Sequence, residues 1–227
     1  MTMIELHFPI LGKEIPTDHG YALYAALSRI VPKIHTEEMP LRIGSIRGSY
    51  VGDGKLRLDG AILRVRLRPD DLPALLPLAG KALDLDGHVI RVGVPQVRAL
   101  TPAANLIARM VVIKASSPKT DPADKLSRDR EKTKRYLSPV DFLAGVRREL
   151  TRQAINAEAE LPLHETRPRQ GQPRRHVVRI KGKAIVGFTV LVQGLTAEES
   201  LQLQCQGLGG RGKLGCGFFV PVKEDNR

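Results

Sequence analysis

The sequence predicts an α+β protein of two tandem ferredoxin-like (RRM-like, βαββαβ) domains, ending in a C-terminal glycine-rich loop and a last strand. Three observations predict it. Strand-length alternating or apolar segments recur along the chain, bounded by Gly, Pro and Asp. In each half one amphipathic helical segment follows the first strand and a second precedes the last. The 227 residues, 42% of them hydrophobic, can supply one large or two small cores. We expect a division into residues 1–97 and 98–227, the halves being diverged structural repeats joined near 95–105, with no recognisable sequence repeat.

In the first half, residues 3–10 alternate well enough for an opening strand, with His7 on its polar phase as a solvated residue. After the turn Gly12-Lys13-Glu14-Ile15-Pro16, Thr17 or Asp18 can cap a helix that runs to Ile30 and stops before Pro32. Ala22, Leu23, Ala26, Leu27 and Ile30 make its core face. Arg42–Val51 and Gly60–Leu67 read as strands around the turn Gly52-Asp53-Gly54-Lys55. Pro69–Leu78 reads as a short helix, and Ala82–Leu85 with His88–Val94 as a hairpin turning at Asp86-Gly87.

The second half opens with Leu106–Lys114 as a buried strand. Ser116–Arg135 is a polar insertion holding seven Lys and Arg, either a solvated charge run or an RNA contact. Ser138-Pro139-Val140-Asp141 opens a helix with Phe142, Leu143, Val146 and Leu150 inward and Arg147, Arg148 and Arg152 off that face. Strands His176–Ile180 and Ala184–Val192 flank Lys181-Gly182-Lys183. Thr196 caps a helix to Leu203, and Phe218–Val222 is the final strand.

With 36 Lys+Arg against 24 Asp+Glu, the net charge of +12 favours a polyanionic partner, nucleic acid before a membrane. Aromatics are only 4% and Trp is absent, so backbone and charge contacts must outweigh base stacking. The N-terminus shows no leader pattern and no segment approaches a membrane span, which makes the cytoplasm the expected location. Cys205 and Cys216 read as small, reduced thiols; no Cys/His spacing suggests zinc, so no metal or cofactor is expected.

Two stretches carry chemistry. Between Gly207 and Gly217 lie six glycines, Gly207, Gly209, Gly210, Gly212, Gly215 and Gly217, with Arg211 and Lys213. Glycine admits close backbone approach, so the loop reads as a phosphate-facing surface. It is not a Walker loop or a dinucleotide fingerprint, because the required Gly-Lys-Ser/Thr or following helix is missing. The other stretch is His19, in the first turn of the first helix and in line with Ala22 and Ala26. The positive helix end disfavours an imidazolium there, and a neutral imidazole can accept a proton. On its own, such a histidine is more often a capping or core residue. Arg147, Arg148 and Arg152 form a candidate phosphate rail; Arg167–His176, with Arg174 and Arg175, is a basic, proline-broken loop, and Lys181 and Lys183 add cations at the turn between the next two strands. His35 and His88 fall in loops or turns; His164 and His176 sit beside the basic loop, where either can approach the site.

Gly-apolar-Gly, five residues including a cation, then Gly-x-Gly and a hydrophobic strand resembles the C-terminal loop of the CRISPR repeat-associated RNA-binding superfamily. Ile15-Pro16-Thr17-Asp18-His19-Gly20-Tyr21-Ala22-Leu23-Tyr24-Ala25-Ala26-Leu27-Ser28 is similar to the first helix of its Cas6 family. The resemblance implies a metal-independent endoribonuclease that cuts CRISPR repeat RNA in the precursor transcript. His19 would assist attack of the 2′-hydroxyl, leaving 2′,3′-cyclic phosphate and 5′-hydroxyl ends. The family often pairs its histidine with a tyrosine and a lysine, for which Tyr21, Tyr24, Lys13 and Arg29 are the nearby candidates. It also implies that the glycine loop and His19 lie along one groove holding a repeat stem-loop. Other Cas subunits of a type I Cascade-like complex, and through them target DNA, are the implied partners, with no membrane. Two alternatives stay open: a subunit of such a complex that binds repeat RNA without cutting it, and an unrelated basic RNA-binding protein.

Overall fold

The computed structural model describes residues 3–36, 39–113 and 137–222. The charged insertion at 116–135 lies outside the described residues. In the first half, β1 (Ile4–Leu11), β3 (Arg42–Ile43), β6 (Ile62–Leu67), β7 (Ala82–Leu85), β8 (His88–Val92) and β9 (Gln96–Ala99) form an antiparallel sheet in the order β3-β6-β1-β8-β7. β8 pairs the end of β1 and β9 its beginning. The central order β3-β6-β1-β8, with α1 (Gly20–Ile30) on one face, is ferredoxin-like.

Strand periodicity explains which face α1 covers. Leu6, Phe8 and Ile10 of β1 and Leu63, Val65 and Leu67 of β6 pack with Leu23, Ala26 and Leu27 of α1. The intervening Glu5, His7, Arg64 and Arg66 share the opposite face, where Glu5 stands across from Arg66 and His7 across from Arg64. Part of that face is covered: Arg66 is 1% exposed.

Several local expectations change. His19, not Thr17 or Asp18, is the N-cap of α1, and it makes no side-chain cap bond. The Asp18 carboxylate instead accepts the Arg179 N–H at 2.9 Å. Arg42–Val51 is not one strand. β3 belongs to the main sheet, whereas β4 (Ser49–Tyr50) joins β2 (Glu14–Pro16) and β5 (Lys55–Arg57) in a small sheet of its own. Gly48 permits the crossing between them, since a Cβ there would lie 2.3 Å from the Arg57 carbonyl oxygen. His7 is half-buried and paired with Glu5 rather than solvated. The Pro69–Leu78 segment is helical in three short pieces, with α2 (Leu72–Leu75) between 3-10 turns.

The second half repeats the plan. β10 (Leu106–Val111), α3 (Pro139–Arg152), β11 (Glu158–Glu160), β12 (Arg175–Ile180), β13 (Lys183–Gln193), α4 (Ala197–Gln206) and β14 (Phe219–Pro221) give a sheet in the order β11-β13-β10-β14. Its core joins Phe142, Val146 and Leu150 of α3 to Phe188, Val190, Val192, Leu203 and Phe219. Ser138 caps α3, and a Thr196–Glu199 capping box starts α4. The sheet position expected for β12 is held by β11, whose Glu-Ala-Glu sequence has no apolar run to announce it. β12 pairs the outer part of β13 instead, from Lys183 to Phe188. Both cysteines are free thiols.

The halves meet through side chains that each alone would leave unsatisfied. Arg66 lies 4.1 Å above the Phe218 ring and donates to the Gln204 carbonyl, at the end of α4, at 2.8 Å. Lys213 donates to the carbonyls of Ile34 and Thr36 at 2.6 and 2.9 Å. The backbone of Gly20 lies so close to Leu214 that a Cβ would sit 2.6 Å from its carbonyl oxygen.

Candidate active site and nucleic-acid interface

His19 is 1% exposed and held between the backbone of Pro16 and that of Ile46. Its Nε2 accepts the Ile46 N–H at 3.1 Å, because a backbone amide can only donate. The proton therefore sits on Nδ1, which donates to the Pro16 carbonyl at 2.8 Å. Burial lowers the pKa of the ring to about 4, and the charge of Arg109 adds to that effect. His19 is thus a neutral imidazole of fixed tautomer at neutral pH.

Beside it lies a cavity of about 50 Å³, lined from both halves by Thr17, Ser45, Arg109, His176 and Gly215 among others. Ligand pockets run from about 300 Å³ upward, so this space alone does not admit a nucleotide. Ser45, Arg109 and Gly215 also line a wider groove of about 390 Å³, into which Arg47, Arg64 and Phe218 project. Three arginines face that groove and Asp59 is its only acid among the described residues. Burial pulls the pKa values of Arg47 and Arg109 below the ordinary guanidinium value, and for Arg47 the neighbouring Arg64 and Arg109 charges act the same way. Like charges gathered in a partly dry groove are the electrostatic complement of a polyphosphate backbone.

His176 is the second imidazole of the small cavity. Thr189 Oγ1 donates to the Arg109 carbonyl at 2.8 Å, so at 2.9 Å it must accept from His176 Nε2. That fixes the tautomer opposite to that of His19. Burial, then the Arg109 charge, bring its pKa to about 4.

The glycine loop serves mainly as a joint. A Cβ on Gly207 would lie 2.4 Å from the Arg42 guanidinium carbon, one on Gly209 2.3 Å from the Val112 carbonyl oxygen, and one on Gly215 2.3 Å from Ser45 Oγ. Gly212 likewise approaches Arg42, at 2.6 Å from Nη1. Only Gly210 faces open space within this loop. Of its cations, Lys213 is committed to the Ile34 and Thr36 carbonyls, while Arg211 is exposed at a left-handed φ of 68°.

The remaining candidates disperse. The Tyr24 hydroxyl bonds His35 Nδ1 at 2.8 Å. Tyr21 is half-buried and Lys13 is exposed on the turn after β1. Arg147, Arg148 and Arg152 are exposed on α3, with Arg152 paired to Glu149. Arg174 pairs with Glu165 at 2.7 Å; Arg175, Lys181 and Lys183 are exposed on the β12–β13 hairpin. The Arg179–Asp18 contact ties that hairpin to the start of α1.

Sequence reasoning missed Arg47, Arg64 and Arg109. Each sits in or beside a strand-like apolar stretch, and an arginine there is the available signal, but nothing in the pattern says that the polar face of that strand meets a second domain.

Comparison with known proteins bears on the family and the fold. The family model described as Cas6 Crispr matches residues 4–224. The CRISPR-associated endonuclease Cas6 of Myxococcus xanthus (strain DK1622) is 34% identical over 221 residues, covering 97% of this chain and 82% of that protein. Among solved structures, a CRISPR associated protein Cas6 superposes with a TM-score of 0.61 at 15% identity, covering 98% of this chain and 99% of that one. A Cas6-related protein from Pyrococcus furiosus gives 0.60 at 13% identity, over 98% and 100% of the two chains. These two show the tandem ferredoxin-like fold. With its family model spanning nearly the whole length and a neutral histidine at the first helix beside a glycine loop, the chain belongs to the Cas6 family of CRISPR-associated endonucleases.

Proposed function

We propose that the protein cuts CRISPR repeat RNA in a precursor transcript with His19 as general base. The observation that carries this is the neutral His19 ring beside a cavity that shares Ser45, Arg109 and Gly215 with a groove lined by three arginines. RNA brings its own nucleophile. His19 Nε2 takes the 2′-hydroxyl proton once the Ile46 amide has moved off it; the 2′-oxygen bonds to phosphorus, and the bond to the 5′-oxygen breaks. The ends are a 2′,3′-cyclic phosphate and, after protonation, a 5′-hydroxyl. The guanidinium groups stabilise the charge on the pentavalent phosphorus, so the chemistry calls for no metal.

Residues 1–97 carry His19 in this reading, and residues 98–227 grip the RNA. Exposed Arg211, Arg147, Arg148, Arg152, Arg175, Lys181 and Lys183 serve a repeat stem-loop, and Arg174 joins them where Glu165 releases it. Tyr21 and Lys13 remain candidates for orienting the phosphate; Tyr24 is held by His35. The glycines act by shaping the joint between the halves beside the cavity. The product RNA stays bound and the protein works in the cytoplasm as a subunit of a type I Cascade-like complex with other Cas proteins.

One observation favours a second reading, in which the chain holds repeat RNA without cutting it: both ring nitrogens of His19 are occupied and the side chain is 1% exposed. Incubation with the repeat RNA of its own locus in EDTA, comparing wild type with His19→Ala, separates the two. Cleavage at one phosphate with a cyclic end, lost in the variant while binding persists, supports the base role. Tight binding without cleavage by the wild type establishes the second reading.

A further inference from the structure

Arg109 stands out as a charged group that the fold positions and that no carboxylate or carbonyl pairs with among the described residues. It lies in a β-bulge, where the pairing of β10 with β13 shifts register between Ala108 and Val111. A bulge re-aims the side chain it contains. Two contacts hold this one: the Arg109 carbonyl, outside the ladder, accepts from Thr189 Oγ1 at 2.8 Å, and the Met110 carbonyl accepts the Gly217 N–H at 2.8 Å. His176 completes the chain by donating to Thr189. Gly187 leaves room for the bulge, since a Cβ there would lie 2.2 Å from the Val111 carbonyl oxygen. The side chain so directed lines both the His19 cavity and the arginine groove. No carboxylate or carbonyl pairs with its guanidinium among the described residues, although Glu5, Asp18 and Asp71 engage other arginines.

We propose that Arg109 is the binding site for the non-bridging oxygens of the scissile phosphodiester, with Thr189 and His176 as positioning residues that hold the bulge. The proposal deepens the ribonuclease reading and rests on it. A guanidinium offers paired N–H donors that match two phosphate oxygens, and an arginine shared by the two cavities can reach a phosphate whose 2′-hydroxyl neighbour faces His19. Arg47 and Arg64, which line only the wider groove, then contact flanking phosphates.

The test is single-turnover cleavage of repeat RNA by wild type, Arg109→Ala and Arg109→Lys, each checked for folding by thermal melting, with and without added guanidinium ion. The expected result is a loss of about 10²–10³-fold for Arg109→Ala. Partial activity should return in Arg109→Lys or on adding guanidinium ion, which a structural lesion would not show. A cleaving wild type with an Arg109→Ala variant that is folded and equally fast overturns the proposal and leaves the ribonuclease reading standing. So does a folded, slow variant rescued by neither lysine nor guanidinium. If the wild type binds repeat RNA without cutting, the ribonuclease reading fails by itself, and Arg109 is judged by the salt dependence of binding. A slope smaller by about 1 in Arg109→Ala then sustains the phosphate contact, and an unchanged slope removes it. A wild type that neither binds nor cuts repeat RNA overturns both.

Discussion

The Ile46 amide donates to His19 Nε2 at 3.1 Å, filling the one lone pair of the ring that a substrate hydroxyl would need. In the proposed reaction, RNA must therefore displace the Ile46 amide before a 2′-hydroxyl can reach the ring. Burial and the Ile46 bond keep the ring neutral, while the Pro16 carbonyl, which by itself favours the protonated ring, orients it.

A neutral, buried histidine couples stability to pH. The pKa of His19 falls from 6.5 unfolded to about 4 folded, so between these values the unfolded chain binds more protons. Stability is fully present above pH 6.5, declines as the pH drops through that window, and levels off near 4. The His19 contribution lost is about 3 kcal/mol. His176 acts in the same direction. Urea denaturation at pH 7.5 and pH 4.5 should show the loss, and His19→Gln should flatten it. In cleavage assays, kcat/KM should not fall between pH 8 and 6 as it would for an unperturbed histidine base.

Arg66 and Glu5 form a buried pair, 1% and 8% exposed at their side chains, with Arg66 Nε 2.6 Å from the carboxylate. Burial by itself would raise the Glu5 pKa, but the Arg66 charge and the hydrogen bonds from His7 and Arg66 outweigh it and lower it. Arg66→Met should cost about 3–5 kcal/mol, because it takes the buried guanidinium away from Glu5, leaving His7 as its close partner, and also loses the bond to Gln204. Combining it with Glu5→Gln should recover part of that loss. Denaturant midpoints of the single and double variants measure the coupling.

The glycines of the C-terminal loop should differ sharply. Gly207→Ala puts a Cβ 2.3 Å from the Gly217 carbonyl oxygen at a φ of 57°, whereas Gly210→Ala meets nothing within 4 Å. The first should lower stability by about 2–4 kcal/mol and the second by less than about 0.5. Melting temperatures of the two variants provide the comparison.

The two cations of that loop should separate by assay. Lys213→Met breaks the bonds to Ile34 and Thr36 and should lower stability by about 1–3 kcal/mol. Arg211→Ala, at an exposed side chain, should leave melting near wild type and reduce the salt slope of RNA binding by about 1.

By itself the sequence determined the two-unit plan, since alternation in Leu6, Phe8 and Ile10 or in Leu63, Val65 and Leu67 depends only on the strand period, and Ser138 and Thr196 announce their helices through local capping. It also singled out His19 and the glycine loop, by resemblance more than by local physics. Tertiary structure decided what the polar phases of those strands face. A period-2 pattern reports two faces of a sheet and not what covers the second, so it does not say what Glu5, Arg64, Arg66 and Arg109 meet. Contacts between residues over a hundred positions apart, such as Arg66 with Gln204 and Lys213 with Ile34, turn that face into an interface and a groove. Glycine count suggested a loop open to a ligand. Only the placement of Arg42, Ser45 and Val112 against it showed that most of its glycines are required for the chain to approach itself.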